Sequence, residues 1–299
     1  MNPTMLLQFF ESRKNRAKPL VLATVYETEG STYSKAGAYM LIDENGVFRG
    51  VLSGGCLEGD LAIRAQQVLE SGTAQTATYD LGADDDELWG MGVGCDGLMR
   101  VLLQPLLPAE DYAPFTRIAE ILRGHTAAEI TIPVEGGSPG ELVIQVEPPP
   151  QILVLGAGLD AEPVVRIAAE LGWRCTVVDH RQAYIDNGDF SAAEATCCAP
   201  ADELADRLQL SRFNMAIVMS HHLASDRSYL TQLAETDIAY VGLLGPRKRR
   251  DRLLSEIGTA SAKLEERLYG PAGLDIGGRG PAPIALSIIA QMQEQLTSD

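Results

Sequence analysis

Positive charge is scarce in this chain. Its 299 residues hold 24 lysines and arginines against 41 aspartates and glutamates, a net charge of −17. No basic face large enough to neutralise a phosphate backbone is available, which excludes a nucleic-acid surface and adhesion to anionic membranes. No stretch of 18 apolar residues exists, so no membrane span is expected. The opening MNPTMLLQFFESRKNR has no long apolar core and no cleavage site, so no signal peptide is expected either. The five cysteines, Cys56, Cys95, Cys175, Cys197 and Cys198, include no Cys-x-x-Cys pair. An odd count without that spacing fits a reducing cytoplasm. The four histidines have no metal-site spacing. Adjacent His221 and His222 point apart on either a strand or a helix, so a shared metal is not expected. Internal repeats and low-complexity segments are missing as well.

What is present is globular. Hydrophobic residues make up 45% and charged residues 22%, ordinary values for a folded protein, and the length predicts about two domains. In the first half, residues 3–13 read as an amphipathic helix and LVLATVYETEG as a strand. A turn at 31–37 leads to a strand at 38–42, and Asp43-Glu44-Asn45-Gly46 makes a hairpin turn into a short strand at 47–51. Further strands are expected near 73–81 and 98–103, around the acidic, glycine-rich loop DDDELWGMGVGCDG. This half reads as α+β with one mixed sheet. Residues 110–123 read as a connecting helix and 128–146 as a hairpin across GGSPG. Pro148-Pro149-Pro150 is a stiff spacer and a domain boundary, giving domains at 1–147 and 151–299.

The second half alternates strand and helix. Ile152–Leu155 is a continuous apolar run, as in a buried parallel strand. Gly156-x-Gly158-x-x-Ala161 follows it and opens a helix, and Asp179 ends the next strand at the spacing of a ribose-binding carboxylate. Strands are also expected at 215–219 and 238–243. The pattern is a Rossmann-like, doubly wound parallel sheet. Asp179 is expected on the surface, where replacement by Ala costs less than about 0.5 kcal/mol; the alternative role is a plain strand-end cap. Met219-Ser220-His221-His222 and Gly245-Pro246-Arg247-Lys248-Arg249-Arg250 close two other strands, where such sheets bind ligands. The basic cluster either receives phosphates or is the solvated start of a helix.

GVLSGGCLEGD, residues 50–60, is the most informative segment. It places Cys56 after a Ser-Gly-Gly turn and ahead of a helix in which Leu57, Leu61, Ala65, Val68 and Leu69 recur at spacings of three and four, closed by Gly72. A helix N-terminus favours a thiolate and binds anions. Cys56 is therefore expected to be the thiol most prone to alkylation, and Cys175 to be protected in its strand. The alternative is an inert cysteine in a tight turn. Gly277-Gly278-Arg279-Gly280 again sets glycines and an arginine before a helix, expected to begin near Pro283. Three such turns, at Gly54, Gly156 and Gly277, read as one polyanionic ligand held by both halves.

GVLSGGCLEGD, with VLATVYETEGSTYSKAGAYMLI and WGMGVGCDG, resembles the N-terminal domain of the XdhC/CoxI family. GAGLDA, VVDHR, MSHH, YVGLLGPRKRR and GPAGLDIGGRGPAPIALSII resemble its C-terminal Rossmann domain. The resemblance implies an accessory factor, without turnover of its own, that binds the molybdenum cofactor as molybdopterin or its nucleotide form. It implies help in sulfuration of the metal centre and delivery to an apo molybdenum hydroxylase of the xanthine dehydrogenase type. It further implies a cytoplasmic homodimer that meets a cysteine desulfurase and cofactor-biosynthesis proteins. The cofactor-binding candidates are Ser53, Gly54, Gly55, Cys56, Glu58, Gly156, Gly158, Asp179, Arg181, His221, Gly245, Arg247, Gly277 and Arg279, with Cys56 also the candidate molybdenum contact. Two positions depart from the family pattern. Leu159 stands where many relatives carry His, and Cys95-Asp96-Gly97 replaces Cys-Gly-Gly, which makes Cys95 a weaker candidate than Cys56.

The competing reading is an NAD(P)-dependent oxidoreductase, drawn from Gly156, Gly158 and Asp179. No Tyr-x-x-x-Lys pair follows the Rossmann core, and the second half holds only Lys248 and Lys263. Hydride transfer needs a positioned acid or base, so the accessory reading is favoured.

Overall fold

The computed structural model describes residues 2–80, 97–134 and 140–297. The chain divides into two units, Met1–Pro148 and Pro149–Asp299, each with its own sheets and cores.

Unit 1 opens with α1, Pro3–Lys14, where Asn2 accepts hydrogen bonds from Thr4 N–H and Met5 N–H and Pro3 stands in the first turn. Both are N-terminal devices: the cap satisfies orphan donors, and proline needs none. Then come β1 (Leu20–Gly30), β2 (Tyr39–Asp43), β3 (Phe48–Arg49), α2 (Glu58–Ser71), β4 (Gln75–Asp80) and β5 (Gly97–Leu106). The five strands form one sheet in the order β3-β2-β1-β5-β4. Every pairing in it is antiparallel. The mixed sheet expected from sequence is thus corrected. β3 and β4, joined by α2, run the same way but lie at opposite edges, so no parallel neighbours arise. α2 ends at Gly72 in the left-handed conformation (φ 67°), which a side chain would resist.

Alternation splits β1 between two cores. Val21, Ala23 and Val25 meet Leu61, Ala65 and Val68 of α2. Leu20 and Leu22 meet Leu6 and Phe10 of α1 and a helix, α3, at Phe115–Arg123. The expected helix at 110–123 begins only at Phe115, because Pro114 disfavours helical backbone in the residue before it. Two-stranded β6 (Ala128–Pro133) and β7 (Glu141–Val146) cover the same core.

Unit 2 contains β8 (Gln151–Leu155), α4 (Ala161–Glu170), β9 (Arg174–Asp179), α5 (Gln182–Asn187), β10 (Ala195–Cys198), α6 (Leu204–Arg207), β11 (Met215–Val218), α7 (Leu223–Leu233), β12 (Tyr240–Leu243), α8 (Arg247–Ile257), β13 (Leu268–Tyr269) and α9 (Pro281–Leu296). The sheet order is β10-β9-β8-β11-β12-β13, and all pairs are parallel. Ile152 and Val154 of β8 enter one core with α4 and α9, while Leu153 and Leu155 enter the other with α7. Burying each such aliphatic side chain stabilises the unit by about 1.5–3 kcal/mol. The winding reverses between β8 and β11, and open α/β sheets bind ligands outside the carboxyl ends of strands at that switch point. Two segments meet there: the Gly156 turn after β8 and the 219–222 segment after β11.

Among the described residues no helix is long and apolar enough to cross a membrane.

Candidate functional site

The turn that carries Cys56 connects β3 to α2. Its backbone is folded tightly, with Gly54 at φ 75° and Gly55 at φ 114°. A side chain on Gly54 would stand 3.4 Å from the ring of exposed Tyr33, whereas one on Gly55 would meet nothing within 4 Å. The open face of Gly55 therefore lies next in sequence to the half-buried Cys56. Leu57 caps α2 without a side-chain bond, so the thiol precedes the helix by one residue more than expected.

The amide groups of this turn have a different partner from the one expected. Glu58 is 2% exposed, and its carboxylate accepts from Leu52 N–H at 2.8 Å, Ser53 N–H at 2.9 Å, Ser53 Oγ at 2.5 Å and Gly55 N–H at 2.9 Å. Ser53 Oγ in turn accepts from Leu57 N–H at 2.7 Å. Burial pushes the Glu58 carboxyl up, and these hydrogen bonds more than offset it, so the group lies below the usual range. Glu58 and Ser53 are thus occupied in building the turn. The exposed part of this turn is Gly54 and Gly55, and half-buried Cys56 beside them packs partly against the core beneath α2. Cys95 lies outside the described residues.

The thiols differ in exposure, and by exposure alone Cys198 ranks ahead of Cys56, against the order expected from sequence. Cys198 is exposed, Cys56 and Cys197 are half-buried, and Cys175 is buried. Burial pushes the Cys175 thiol up to about 12. With iodoacetamide near neutral pH, site-resolved mass spectrometry should find Cys56 alkylated well before Cys175. Equal rates in the folded protein would contradict the packing of β9.

In unit 2, the candidates Gly156, Gly158, Arg181, His221 and Gly245 stand in loops and Asp179 ends β9, all at the carboxyl edge of the sheet. Gly156 (φ 125°) is required by strand packing, since a Cβ there would sit 2.5 Å from Met219 O. Asp179 departs most from expectation. It is 0% exposed and accepts from Ala157 N–H at 2.8 Å, Arg181 N–H at 2.9 Å, Arg181 Nε at 2.8 Å and Arg181 Nη2 at 2.7 Å. Burial raises its carboxyl, while the Arg181 side chain, the two backbone donors and the arginine charge pull it below the ordinary range. The expected surface carboxylate is therefore a buried one, because β9 ends beneath the glycine turn instead of beyond it. Arg181 lies over the Tyr184 ring, 3.6 Å from its centroid.

A second buried carboxylate, Asp226 at 1% exposure, was not legible in the sequence. It accepts from Ser220 Oγ, and from Arg249 Nε at 3.2 Å and Nη2 at 2.6 Å. Arg249 crosses Gly245 (φ 129°), where a Cβ would lie 2.8 Å from its Cδ. The Arg181 Nη2 also reaches Ser220 O at 3.5 Å. Ala157, Asp179, Arg181, Ser220, Asp226 and Arg249 therefore tie together the loops after β8, β9, β11 and β12. The spacings of their bonded pairs, 2 to 39 residues, form no sequence pattern.

The outward side of this edge carries other groups. His221, at φ 58°, puts its Nε2 3.0 Å from Asp160 Oδ2. Its ring lies 3.6 Å from where a Gly158 side chain would begin. Leu159 is 77% exposed. His222 turns away and caps α7 through Ser225. Arg247 and Lys248 are exposed in the first turn of α8, while Arg250 and Arg252 pair with Asp251 and Glu256. Gly277 and Arg279 lie in the exposed segment between β13 and α9, which begins at Pro281. Among the described residues no group of three or more His, Cys, Asp or Glu is placed to hold a metal.

Comparison with known proteins follows the same division. Residues 14–80 match the XdhC and CoxI family, and residues 152–292 match the XdhC Rossmann domain. A Bacillus subtilis (strain 168) protein named as a probable subunit of xanthine dehydrogenase is 30% identical over 91% of this chain and 92% of its own. The Escherichia coli (strain K12) "Molybdenum cofactor insertion chaperone PaoD" is 23% identical over 96% of this chain and 86% of its own. A crystal structure of a Bacillus halodurans protein described as a xanthine dehydrogenase superposes with a TM-score of 0.84 at 30% identity. That match covers 100% of this chain and 96% of the other.

Proposed function

We infer from the XdhC and CoxI family, to which this chain belongs, that it is an accessory protein that binds the molybdenum cofactor and inserts it into a xanthine dehydrogenase-type enzyme. The observation that carries this reading is the likeness, over nearly the whole chain, to a molybdenum cofactor insertion chaperone. The chemistry of the turn in unit 1 suits that cargo. Cys56 is a soft donor of the kind that suits molybdenum or its sulfur, and Gly55 beside it leaves room for a bulky ligand to approach. Glu58 and Ser53 hold the backbone on either side, so the thiol is presented from a fixed turn. In unit 2, exposed Arg247, Lys248 and Arg279 offer cations of the kind that suit a phosphate group. The cofactor would supply the metal and its sulfur; this chain binds, orients and releases it.

The dehydrogenase reading loses its main support. A ribose-binding carboxylate must be free to accept from ribose hydroxyls, and Asp179 is buried with both oxygens engaged. The test is to purify the full chain after co-expression with cofactor biosynthesis and identify the bound small molecule by absorption spectrum and mass. Molybdopterin is expected; NAD(P) in its place would overturn the reading.

A further inference from the structure

The Rossmann turn has its own carboxylate at the helix start. Asp160 is the residue before α4, yet its side chain makes no bond to the helix. It is held by His221 Nε2 at 3.0 Å instead, with 20% of the Asp160 side chain and 57% of the His221 side chain exposed. His221 comes from the loop after β11, across the switch point, and holds its place with a left-handed backbone (φ 58°), which a non-glycine residue resists. Its ring rests on Gly158. The pair therefore spans the position where a dinucleotide's pyrophosphate would meet the turn. Ala161 N–H donates to Gly158 O at 2.9 Å, Pro163 carries no N–H, and Ala157 N–H is taken by Asp179.

We propose that Asp160 and His221 form a specificity latch that bars diphosphates from the Rossmann turn. The inference rests on the reading of unit 2 as a unit that takes a phosphate-bearing ligand. A phosphate brought to the turn meets a like charge within a few ångströms, and the imidazole that could donate to it is already engaged. Ligands lying along α4 as a dinucleotide does are rejected, and a phosphate is accepted only where Arg247 and Lys248 face it from α8.

The test uses the full chain and ADP as the probe, titrated by calorimetry into the unaltered protein, Asp160→Asn and Asp160→Glu. Asparagine serves as well as aspartate at a helix start, so folding is expected to be retained, and hydrogen exchange across α4 checks it. Removing one charge a few ångströms from a phosphate changes affinity by about tenfold or more. Asp160→Asn should therefore bind ADP at least about tenfold tighter, and Asp160→Glu should stay with the unaltered protein. Equal affinity in all three would overturn the latch and leave the phosphate reading of unit 2 standing. No binding by any of them at millimolar ADP would overturn both.

Discussion

Asp179→Ala is expected to destabilise unit 2 by roughly 3 kcal/mol, the range for removing one partner of a buried ion pair when the other retains some contact with water. The carboxylate that leaves is fully buried, and Ala157 N–H loses its acceptor. The Arg181 guanidinium loses both of its bonds to Asp179 but keeps 29% side-chain exposure and the Tyr184 ring, which holds the cost below that of a fully enclosed charge. For a unit of this size the loss corresponds to roughly 6–12 °C in melting temperature. Asp179→Asn keeps an oxygen for Ala157 and should fall between the two. Thermal unfolding followed by hydrogen exchange in β8 and β9 measures it. A shift under about 1 °C for Asp179→Ala would restore Asp179 as a surface residue and undo the account of the edge network.

Glu58→Gln should do the same to unit 1 while leaving unit 2 unaffected. The side chain keeps its shape, but an amide has one acceptor oxygen where Glu58 uses two. Either the Leu52 and Ser53 N–H groups or the Ser53 hydroxyl and Gly55 N–H then face an NH₂. Two unsatisfied buried donors cost roughly 2–4 kcal/mol together, and Cys56 loses its fixed turn. Exchange of the Gly55 amide and the alkylation rate of Cys56 should both rise, whereas Cys175 labelling should not change. Acid reveals the same two carboxylates. Both are held below their ordinary values of 4.5 for Glu58 and 3.8 for Asp179. A carboxyl whose value is lowered on folding lends stability that is complete above its unfolded value and is lost as pH falls through the folded one. The destabilising effect of each substitution should therefore be full at pH 7 and shrink below about pH 4.

Much of the fold is written in local patterns. The helix after Cys56 follows from leucines and alanines at helical spacing ended by Gly72, and the structure places it at Glu58–Ser71. The continuous apolar run at Ile152–Leu155 and the strand expected next, ending at Asp179, become neighbouring parallel strands. Sheet direction in unit 1 was not legible, because it depends on α2 crossing to the far edge, which no local pattern encodes. β10, Ala195–Cys198, is a largely exposed edge strand without an apolar run, and β13 has only 2 residues, so neither leaves a signal. At the site, spacing located the turns but not their satisfaction. Glu58 and Asp179 have the residue type and position of ligand-binding acids, and each accepts hydrogen bonds from the very turn where a ligand was expected. That closure depends on backbone amides brought round in space, so it cannot be read along the chain. Ser220, Asp226 and Arg249 were missed for the same reason, being joined only by the convergence of β11, α7 and α8.

The central claim is that Cys56 presents a thiol to the molybdenum cofactor from a turn fixed by Glu58 and Ser53. The measurement that tests it most directly is the molybdenum and pterin content per chain of the unaltered protein and of Cys56→Ser, both purified after co-expression with cofactor biosynthesis. Serine keeps the size and the turn but not the soft donor, so the melting temperature should stay within about 2 °C, as for a substitution worth under roughly 0.5 kcal/mol. The account predicts bound molybdenum and pterin in the unaltered protein and a loss of most of both in Cys56→Ser. Equal molybdenum and pterin in the two proteins would contradict it.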